Sequence, residues 1–275
     1  MEDQQVPLNR EARADAQPEG DVQVVLPDLA YQQLLIVNVL FYGAAGAGDR
    51  EWILIDTGVM GATGRIRETA AQRFGAEARP AAIILTHGHF DHVGTLRELA
   101  EHWDALVYAH AEEHPYLNGS SSYPPPDPTV GGGLMAALAR FYPRGPVDVS
   151  QRLHALPEDG SVPGMPGWQW LHTPGHTPGH ISLWRAADRT LIAGDAFITT
   201  RQESAFAVAL QQPELHGPPM YYTTDWDAAQ HSVERLASLE PELVITGHGP
   251  ALQGEKMRAA LQTLARDFKQ IAVPG

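Results

Sequence analysis

The sequence contains no cysteine, and only two of its 275 residues are lysines, Lys256 and Lys269. The lack of cysteine excludes disulfide bonds and thiolate metal ligands, so any metal site must draw on histidine, aspartate or glutamate. Arginine carries nearly all of the positive charge, a bias that is more typical of genome composition than of a particular function.

Positive charge as a whole is also scarce, because the formal net charge is −14. Proteins that bind nucleic acid need a basic surface, so we expect a small-molecule substrate and no nucleic-acid partner. No apolar run reaches the roughly 18 residues that a membrane-spanning helix requires, and we expect no membrane partner. Residues 1–20 lack the apolar core of a secretory signal, which favours a cytoplasmic location. The sequence leaves a homodimer open.

The chain is predicted to consist of a disordered tail and one folded domain. Residues 1–20 are polar without periodicity, which predicts the tail, and the domain covers 21–275. Predicted strands cover 34–42, 52–55, 82–85, 106–108, 168–171, 181–184, 190–192 and 243–246. Predicted helices cover 64–74, 95–102, 225–239 and 254–269. Strands interleaved with helices in both halves predict an α/β fold class.

One long stretch, residues 117–150, interrupts this alternation. Clusters of Ser, Pro and Gly in it precede an apolar, helix-like piece over Leu134–Tyr142. Stretches of this length in compact domains are typically functional lids or spacers. We therefore expect a cap insertion that governs substrate entry, while the alternative that its apolar face packs on the core stays open.

The segment with the clearest chemistry is Thr86-His87-Gly88-His89-Phe90-Asp91-His92, which follows a predicted strand directly. It places four candidate metal ligands within six residues. Imidazole and carboxylate are the groups that bind Zn²⁺, Mn²⁺ or Fe²⁺ when thiolate is absent. A single histidine is more often structural, but three histidines and an aspartate in this spacing predict a metal site.

Three further candidates each lie just beyond a predicted strand. His176 lies in Thr-Pro-Gly-His, Asp195 in Ile-Ala-Gly-Asp, and His248 in Ile-Thr-Gly-His. The neighbouring glycines allow backbones to approach closely where side chains must converge. Each residue alone is better interpreted as structural, but together with the first segment they indicate metal ligands.

This ordered set resembles the dinuclear members of the metallo-β-lactamase superfamily over roughly residues 30–270. The turn Asp56-Thr57-Gly58 is similar to the early turn of that family in which the aspartate supports the ligand loop. The resemblance implies a four-layer αβ/βα sandwich. It also implies two divalent ions, with zinc favoured and manganese or iron as alternatives.

The resemblance implies a role for each ligand. The first ion is bound by His87, His89 and His176, the second by Asp91, His92 and His248, and Asp195 bridges both. Two cations roughly 3.5–4 Å apart share a water and lower its pKa to near 7. Asp91 has an additional catalytic role, since it can orient the resulting hydroxide and pass a proton to the leaving group.

The implied activity is that of a dinuclear hydrolase acting on a small ester-type substrate such as a lactone or thioester. The cysteine-free pattern is similar to glyoxalase II and lactonases, whereas true β-lactamases of this fold commonly use a cysteine or a changed first motif. Three alternatives stay open. They are a mononuclear iron enzyme resembling persulfide dioxygenases, a phosphodiesterase or β-lactamase, and a non-catalytic metal-dependent binding module.

The remaining histidines carry weaker signals. His172 and His180 flank the His176 loop, and for both a role near the metals and a structural role stay open. The others are interpreted as surface or structural residues. Asp225 precedes a predicted helix, which indicates that it caps that helix.

Overall fold

The structure, a computed structural model, describes residues 5–126, 144–145, 147–200 and 213–274. These form two compact units. The N-terminal unit consists of described residues within 16–123 and 144–168, and the C-terminal unit of those within 5–15, 124–126 and 169–274. The first strand of the chain, β1 (Val6–Pro7), belongs to the C-terminal unit. Among the described helices, none has the length and apolar character needed to span a bilayer.

The N-terminal unit is built on an eight-stranded sheet whose spatial order is the order of the chain. Its strands are β2 (Gln17–Glu19), β3 (Val22–Leu26), β4 (Leu29–Leu34), β5 (Val37–Tyr42), β6 (Ile53–Ile55), β7 (Ala82–Ile84), β8 (Leu106–Ala109) and β9 (Leu153–Ala155). Neighbours are antiparallel from β2 to β6 and parallel from β6 to β9. Parallel neighbours need crossover connections, which contain the helices α1 (Thr63–Phe74) and α2 (Leu96–Trp103). A one-turn helix, α3 (His114–Leu117), follows β8.

An aromatic cluster joins both crossover helices to the core of this unit. In α1 the buried residues Ile66, Ala70 and Phe74 recur every four positions and form one apolar stripe. Phe74 stacks on Trp52 with ring centroids 4.5 Å apart, and Trp103 of α2 meets Trp52 edge-on at 5.4 Å. Burial of each such ring contributes about 2 kcal/mol or more. The cluster therefore packs both helices against Trp52, which directly precedes β6.

The C-terminal unit has a five-stranded sheet with the order β10 (Trp168–His172), β11 (Ile181–Arg185), β12 (Thr190–Gly194), β14 (Leu243–Thr246), β15 (Leu252–Gln253). Strand β13 (Glu214–Leu215) pairs separately with β1. Helices α4 (Trp226–Ser238) and α5 (Gly254–Arg266) bury Val233, Leu236, Leu261 and Leu264 in the same apolar cluster as Leu191 of β12. A short helix, α6 (Phe268–Ile271), follows.

The four predicted helices are confirmed to within three residues at each end. The predicted strand over 34–42 is confirmed as β5 from Val37 to Tyr42, but its start at residue 34 is wrong. β4 ends at Leu34, and the chain turns at Leu35, which has a left-handed backbone (φ 60°) and is 73% exposed. The turn contains neither glycine nor proline, so an uninterrupted apolar run concealed it.

Residues 5–20, for which a disordered tail is predicted, contain short strands and one buried residue in the structure. Strand β1 pairs with β13, β2 pairs with β3, and Ala12 is fully buried. Short edge strands are stabilised by backbone hydrogen bonds and do not need an apolar sequence. A polar segment without periodicity therefore gave no indication of them. Residues 1–4 lie outside the described residues. The single predicted domain corresponds, in the described part, to two compact units.

The predicted cap falls mostly on positions that the structure leaves undescribed. Its helix-like piece, Leu134–Tyr142, lies wholly outside the described residues. On one side of these positions the residues up to Tyr123 belong to the N-terminal unit, and on the other side so do the described residues from 144 onward. Asn118 and Asp148, one from each side, form an antiparallel bridge. The cap stays a prediction.

Candidate metal centre

The N-terminal unit brings its four candidate ligands together in one buried loop after β7. His87 and His92 are fully buried, and His89 and Asp91 are 4% and 6% exposed. His87 Nε2 lies 3.1 Å from His89 Nδ1. His87 and His92 have donor atoms within 4.8 Å of each other, and so do Asp91 and His92. We call these four residues the loop cluster.

Asp56 orients the loop cluster from the end of β6. Its carboxylate accepts hydrogen bonds from Thr86 N and Thr86 Oγ1, both at 2.8 Å, and contacts His92 Nδ1 at 2.8 Å. Because the Thr86 hydroxyl donates its only hydrogen to Asp56, its 3.1 Å contact with His87 Nδ1 requires the imidazole proton to be on Nδ1. Nε2 is then the nitrogen with which His87, and likewise His92, would bind a metal.

The turn after Asp56 is bonded to the end of the ligand loop. Thr57 N and Thr57 Oγ1 both donate to His92 O, at 2.7 and 2.9 Å. Gly94 N donates to Gly58 O at 2.8 Å, and Thr95 Oγ1 donates to Thr57 O at 2.6 Å. Asp56 itself has a left-handed backbone (φ 58°), which aspartate tolerates better than most residues. The loop is therefore held by main-chain bonds as well as by side chains.

The C-terminal unit brings together the other three candidates, each from a different loop. His176, Asp195 and His248 follow β10, β12 and β14, and each is at most 2% exposed. The Nε2 atoms of His176 and His248 lie 3.5 and 3.1 Å from the same oxygen, Asp195 Oδ2. We call these three residues the three-loop cluster.

His180 supports the three-loop cluster through the backbone of Asp195. Asp195 N donates to His180 Nε2 at 2.8 Å, so the imidazole is neutral and carries its proton on Nδ1. Nδ1 lies 2.9 Å from Thr173 Oγ1 and 3.1 Å from Thr173 O. Thr173 Oγ1 contacts Ser182 Oγ, which donates to Ala193 O. A buried polar chain therefore links β10, β11 and β12 at the position where Asp195 begins its loop.

Helix α4 holds the His176 loop. Thr223 Oγ1 lies 3.2 Å from His176 Nδ1, and Asp225 N donates to Gly175 O. Gly175 has φ 131°, and a Cβ there would lie 2.3 Å from Ala229 N, so only glycine fits. The Asp225 carboxylate accepts a 2.9 Å bond from Ala228 N, which confirms the predicted helix cap.

Both clusters fit a metal ion chemically. Each combines imidazole nitrogens with a carboxylate, and all seven side chains are buried. Buried polar groups are costly unless they are paired, and crowded ring nitrogens such as those of His87 and His89 have lone pairs that a cation can satisfy. This donor set suits Zn²⁺, Mn²⁺ or Fe²⁺.

Several supporting residues carried no signal of their own in the sequence. Thr86 and Thr173 were visible only as neighbours of histidines. Glu113 lies in an unremarkable segment, and Tyr123 lies in the stretch 117–150, which was predicted to be a cap and not a support for a metal site. For His180 the sequence left open a role near the metals and a structural role, and its contact with Asp195 N places it beside a candidate ligand. His172 instead contacts Pro178 O through Nε2, within the loop that leads to His180.

Comparison with known proteins agrees with the resemblance. A family model described as the metallo-β-lactamase superfamily matches residues 33–248. A protein of Bacillus subtilis named "probable metallo-hydrolase YflN" is 50% identical over 236 residues, which are 86% of this chain and 89% of that protein. A second one, "probable metallo-hydrolase YybB", is 29% identical over 74% of this chain and 77% of its own length.

Solved structures agree on the fold. The protein TTHA1623, determined in a di-iron-bound form, is 28% identical with a TM-score of 0.54, covering 86% of this chain and 96% of that one. A β-lactamase domain protein from Burkholderia ambifaria has a TM-score of 0.65 at 20% identity, covering 94% and 79%. The predicted α/β fold of the metallo-β-lactamase type is therefore confirmed.

Proposed function

The chain belongs to the metallo-β-lactamase superfamily, and we propose that it is a hydrolase that uses two divalent metal ions held by its seven buried ligands. The observation that carries the proposal is the pair of buried donor clusters, in which histidine nitrogens approach one another or share an aspartate oxygen.

The family arrangement assigns His87, His89 and His176 to one ion, Asp91, His92 and His248 to the other, and Asp195 to both. Two features support it. The His176 and His248 nitrogens flank a single Asp195 oxygen, as expected around a bridging carboxylate. The similar protein TTHA1623 was solved with two irons. We propose zinc as the metal, with iron or manganese as the alternatives that elemental analysis distinguishes.

The ions and the side chains have separate tasks. Paired divalent ions lower the pKa of a bound water towards 7 and polarise the carbonyl under attack. Asp91, buried in the loop cluster, is proposed to orient the attacking water and to pass its proton to the leaving group. Asp56 and His180 hold the ligands in position, and neither is proposed to touch substrate.

We propose a small activated acyl compound, such as a lactone or thioester, as the substrate. The cysteine-free ligand set, similar to that of glyoxalase II and lactonases, supports this class over the β-lactams. The net charge of −14 disfavours a polyanionic substrate.

One experiment tests both the metal and the substrate class. Metal-loaded protein is analysed for metal content and then assayed on a panel of lactone, thioester, β-lactam and phosphodiester substrates, with and without oxygen. We expect two ions per chain and oxygen-independent turnover of a lactone or thioester. Oxygen consumption matched to product would favour the dioxygenase alternative, and turnover of only a β-lactam or phosphodiester would replace the substrate class.

A further inference from the structure

Gly88, the residue between the ligands His87 and His89, is held by two side chains from a later part of the N-terminal unit. Gly88 N donates to Glu113 Oε2 at 2.9 Å and to Tyr123 Oη at 3.0 Å. A Cβ on Gly88 would lie 2.8 Å from Tyr123 Oη. The backbone between the two ligands therefore rests directly against these two polar groups, with no room for a side chain.

Tyr123 also contacts a ligand ring. Its ring centroid lies 4.5 Å from that of His89 at an angle of 59°, and Tyr116 stacks on Tyr123 at 3.8 Å. The Tyr123 hydroxyl donates to the Glu113 carboxylate. Burial, and then the nearby Glu113 charge, raise the pKa of Tyr123 well above its ordinary value, so the hydroxyl keeps its proton. The same side chain therefore limits the movement of both the Gly88 peptide and the His89 ring.

Glu113 and Tyr123 are themselves fixed by other parts of the chain. Glu113 is fully buried at the end of a 3₁₀ turn, Ala111–Glu113, where its backbone N donates to His110 O. Tyr123 N donates to Arg144 O at 3.0 Å. Glu113 and Tyr123 are therefore held in place by contacts outside the loop of residues 87–92, and they hold Gly88 from there.

We propose that Glu113 and Tyr123 are positioning residues that preset the geometry of His87 and His89 for the metal ion they hold. This inference rests on the proposed function, because it assumes that these histidines are ligands. Residues that orient metal ligands typically contribute 10–100-fold to metal affinity. Neither residue belongs to the predicted ligand set, and neither is proposed to touch substrate.

The test uses three variants with a matched control in the full-length protein. Tyr123→Phe removes the hydroxyl and keeps the ring. Glu113→Met keeps the approximate shape and removes both acceptors, whereas Glu113→Gln retains an amide oxygen that can accept both bonds now made to Oε2. The control is Tyr108→Phe, a tyrosine of β8 whose ring faces the non-ligand His154. Zn²⁺ affinity is measured by competition with a chromophoric chelator, alongside the visible spectrum of Co²⁺-loaded protein and the thermal unfolding of metal-free protein.

We expect Tyr123→Phe and Glu113→Met to weaken the binding of one Zn²⁺ by about 10-fold or more and to change the Co²⁺ spectrum. Glu113→Gln should stay within about threefold of wild type, because it restores the hydrogen bonds and not the charge, and Tyr108→Phe should match wild type. Wild-type affinity and spectrum in both disruptive variants would overturn the positioning role, even if their metal-free melting temperatures fell. So would a Glu113→Gln variant as impaired as Glu113→Met.

If Tyr123→Phe does not fold, the Zn²⁺ affinity and the Co²⁺ spectrum of the two Glu113 variants test the positioning role. Failure of the proposed function has a different signature, namely a wild-type protein that binds no metal or hydrolyses none of the panel. Metal binding by wild type with unaltered variants would overturn only the positioning role.

Discussion

The four candidate ligands of the N-terminal unit lie in one loop, residues 87–92, whereas the three candidate ligands of the C-terminal unit lie in three separate loops. The supports differ as well. In the loop cluster a carboxylate, Asp56, accepts hydrogen bonds from Thr86 and contacts the ring of the candidate ligand His92. In the three-loop cluster a neutral imidazole, His180, accepts a hydrogen bond from the backbone N–H of the candidate ligand Asp195.

The two clusters therefore differ in how far apart along the chain their members lie. The four candidate ligands of the loop cluster are neighbours along the chain, and hydrogen bonds with Asp56 and Thr57 then hold the loop that contains them. Three ligands on separate loops stay close only while β10, β12 and β14 keep their order in the sheet. We therefore expect the two clusters to respond differently to substitution and to metal loss.

The largest effect is expected from removing the shared carboxylate. Asp195→Ala removes the oxygen approached by both His176 and His248. It should therefore lower activity by at least about 1000-fold and reduce the content of both ions. His87→Ala should abolish activity equally but spare part of the metal content. The control is His231→Ala on the exposed face of α4, which should retain activity. Elemental analysis and turnover check this, and full metal content in Asp195→Ala would show that it bridges nothing.

Metal removal should loosen the three-loop cluster more than the loop cluster. Around the loop cluster, Thr86 N, His92 N and Gly94 N donate at 2.8–2.9 Å, whereas Gly175 N and His180 N donate to Thr177 O at 3.2 and 3.4 Å. Metal at 100 times its Kd should stabilise the protein by about 2.7 kcal/mol, which chelation would remove. Hydrogen exchange after chelation should therefore rise more at 175–180 than at 86–94. Equal increases would contradict the comparison.

The two supports should also differ in strength. Asp56→Asn cannot accept from Thr86 N, Thr86 Oγ1 and His92 Nδ1 together, so it should weaken metal binding by about 10–100-fold and cost about 1–3 kcal/mol of stability. His180→Gln should cost less, since an amide oxygen can still accept from Asp195 N. Metal competition and thermal unfolding measure both. A larger loss in His180→Gln would reverse the order of the two supports.

The smallest effect is expected at the helix that holds the His176 loop. Asp225→Ala removes the cap of α4 and should cost about 1 kcal/mol, with metal affinity retained because Asp225 N still donates to Gly175 O. The matched control is Asp227→Ala in the first turn of α4, an exposed aspartate near Lys269, expected to change stability by at most about 0.5 kcal/mol. Denaturant unfolding distinguishes them, and a loss of metal in Asp225→Ala would show that the cap side chain matters to the site.

Elements with strong periodicity were predictable and irregular ones were not. The α1 stripe of Ile66, Ala70 and Phe74 and the buried strand β7 are visible in the sequence because burial imposes a period or an apolar run. The turn at Leu35 and the short strand β1 leave no such pattern, since the first lacks glycine and the second is stabilised by backbone pairing with β13.

The donor atoms that the protein offers follow from the sequence alone, because imidazole and carboxylate are properties of the residues and their order along the chain. The helices and the loop that carries four candidate ligands in six positions also follow from the sequence. Which nitrogen each histidine presents, and which groups hold it there, depends on contacts that form only in the folded chain. Asp56 reaches Thr86 across 30 residues, and Tyr123 reaches Gly88 across 35. Hydrogen bonds of about 3 Å depend on the final positions of atoms, and no local pattern of residues encodes contacts made across such separations.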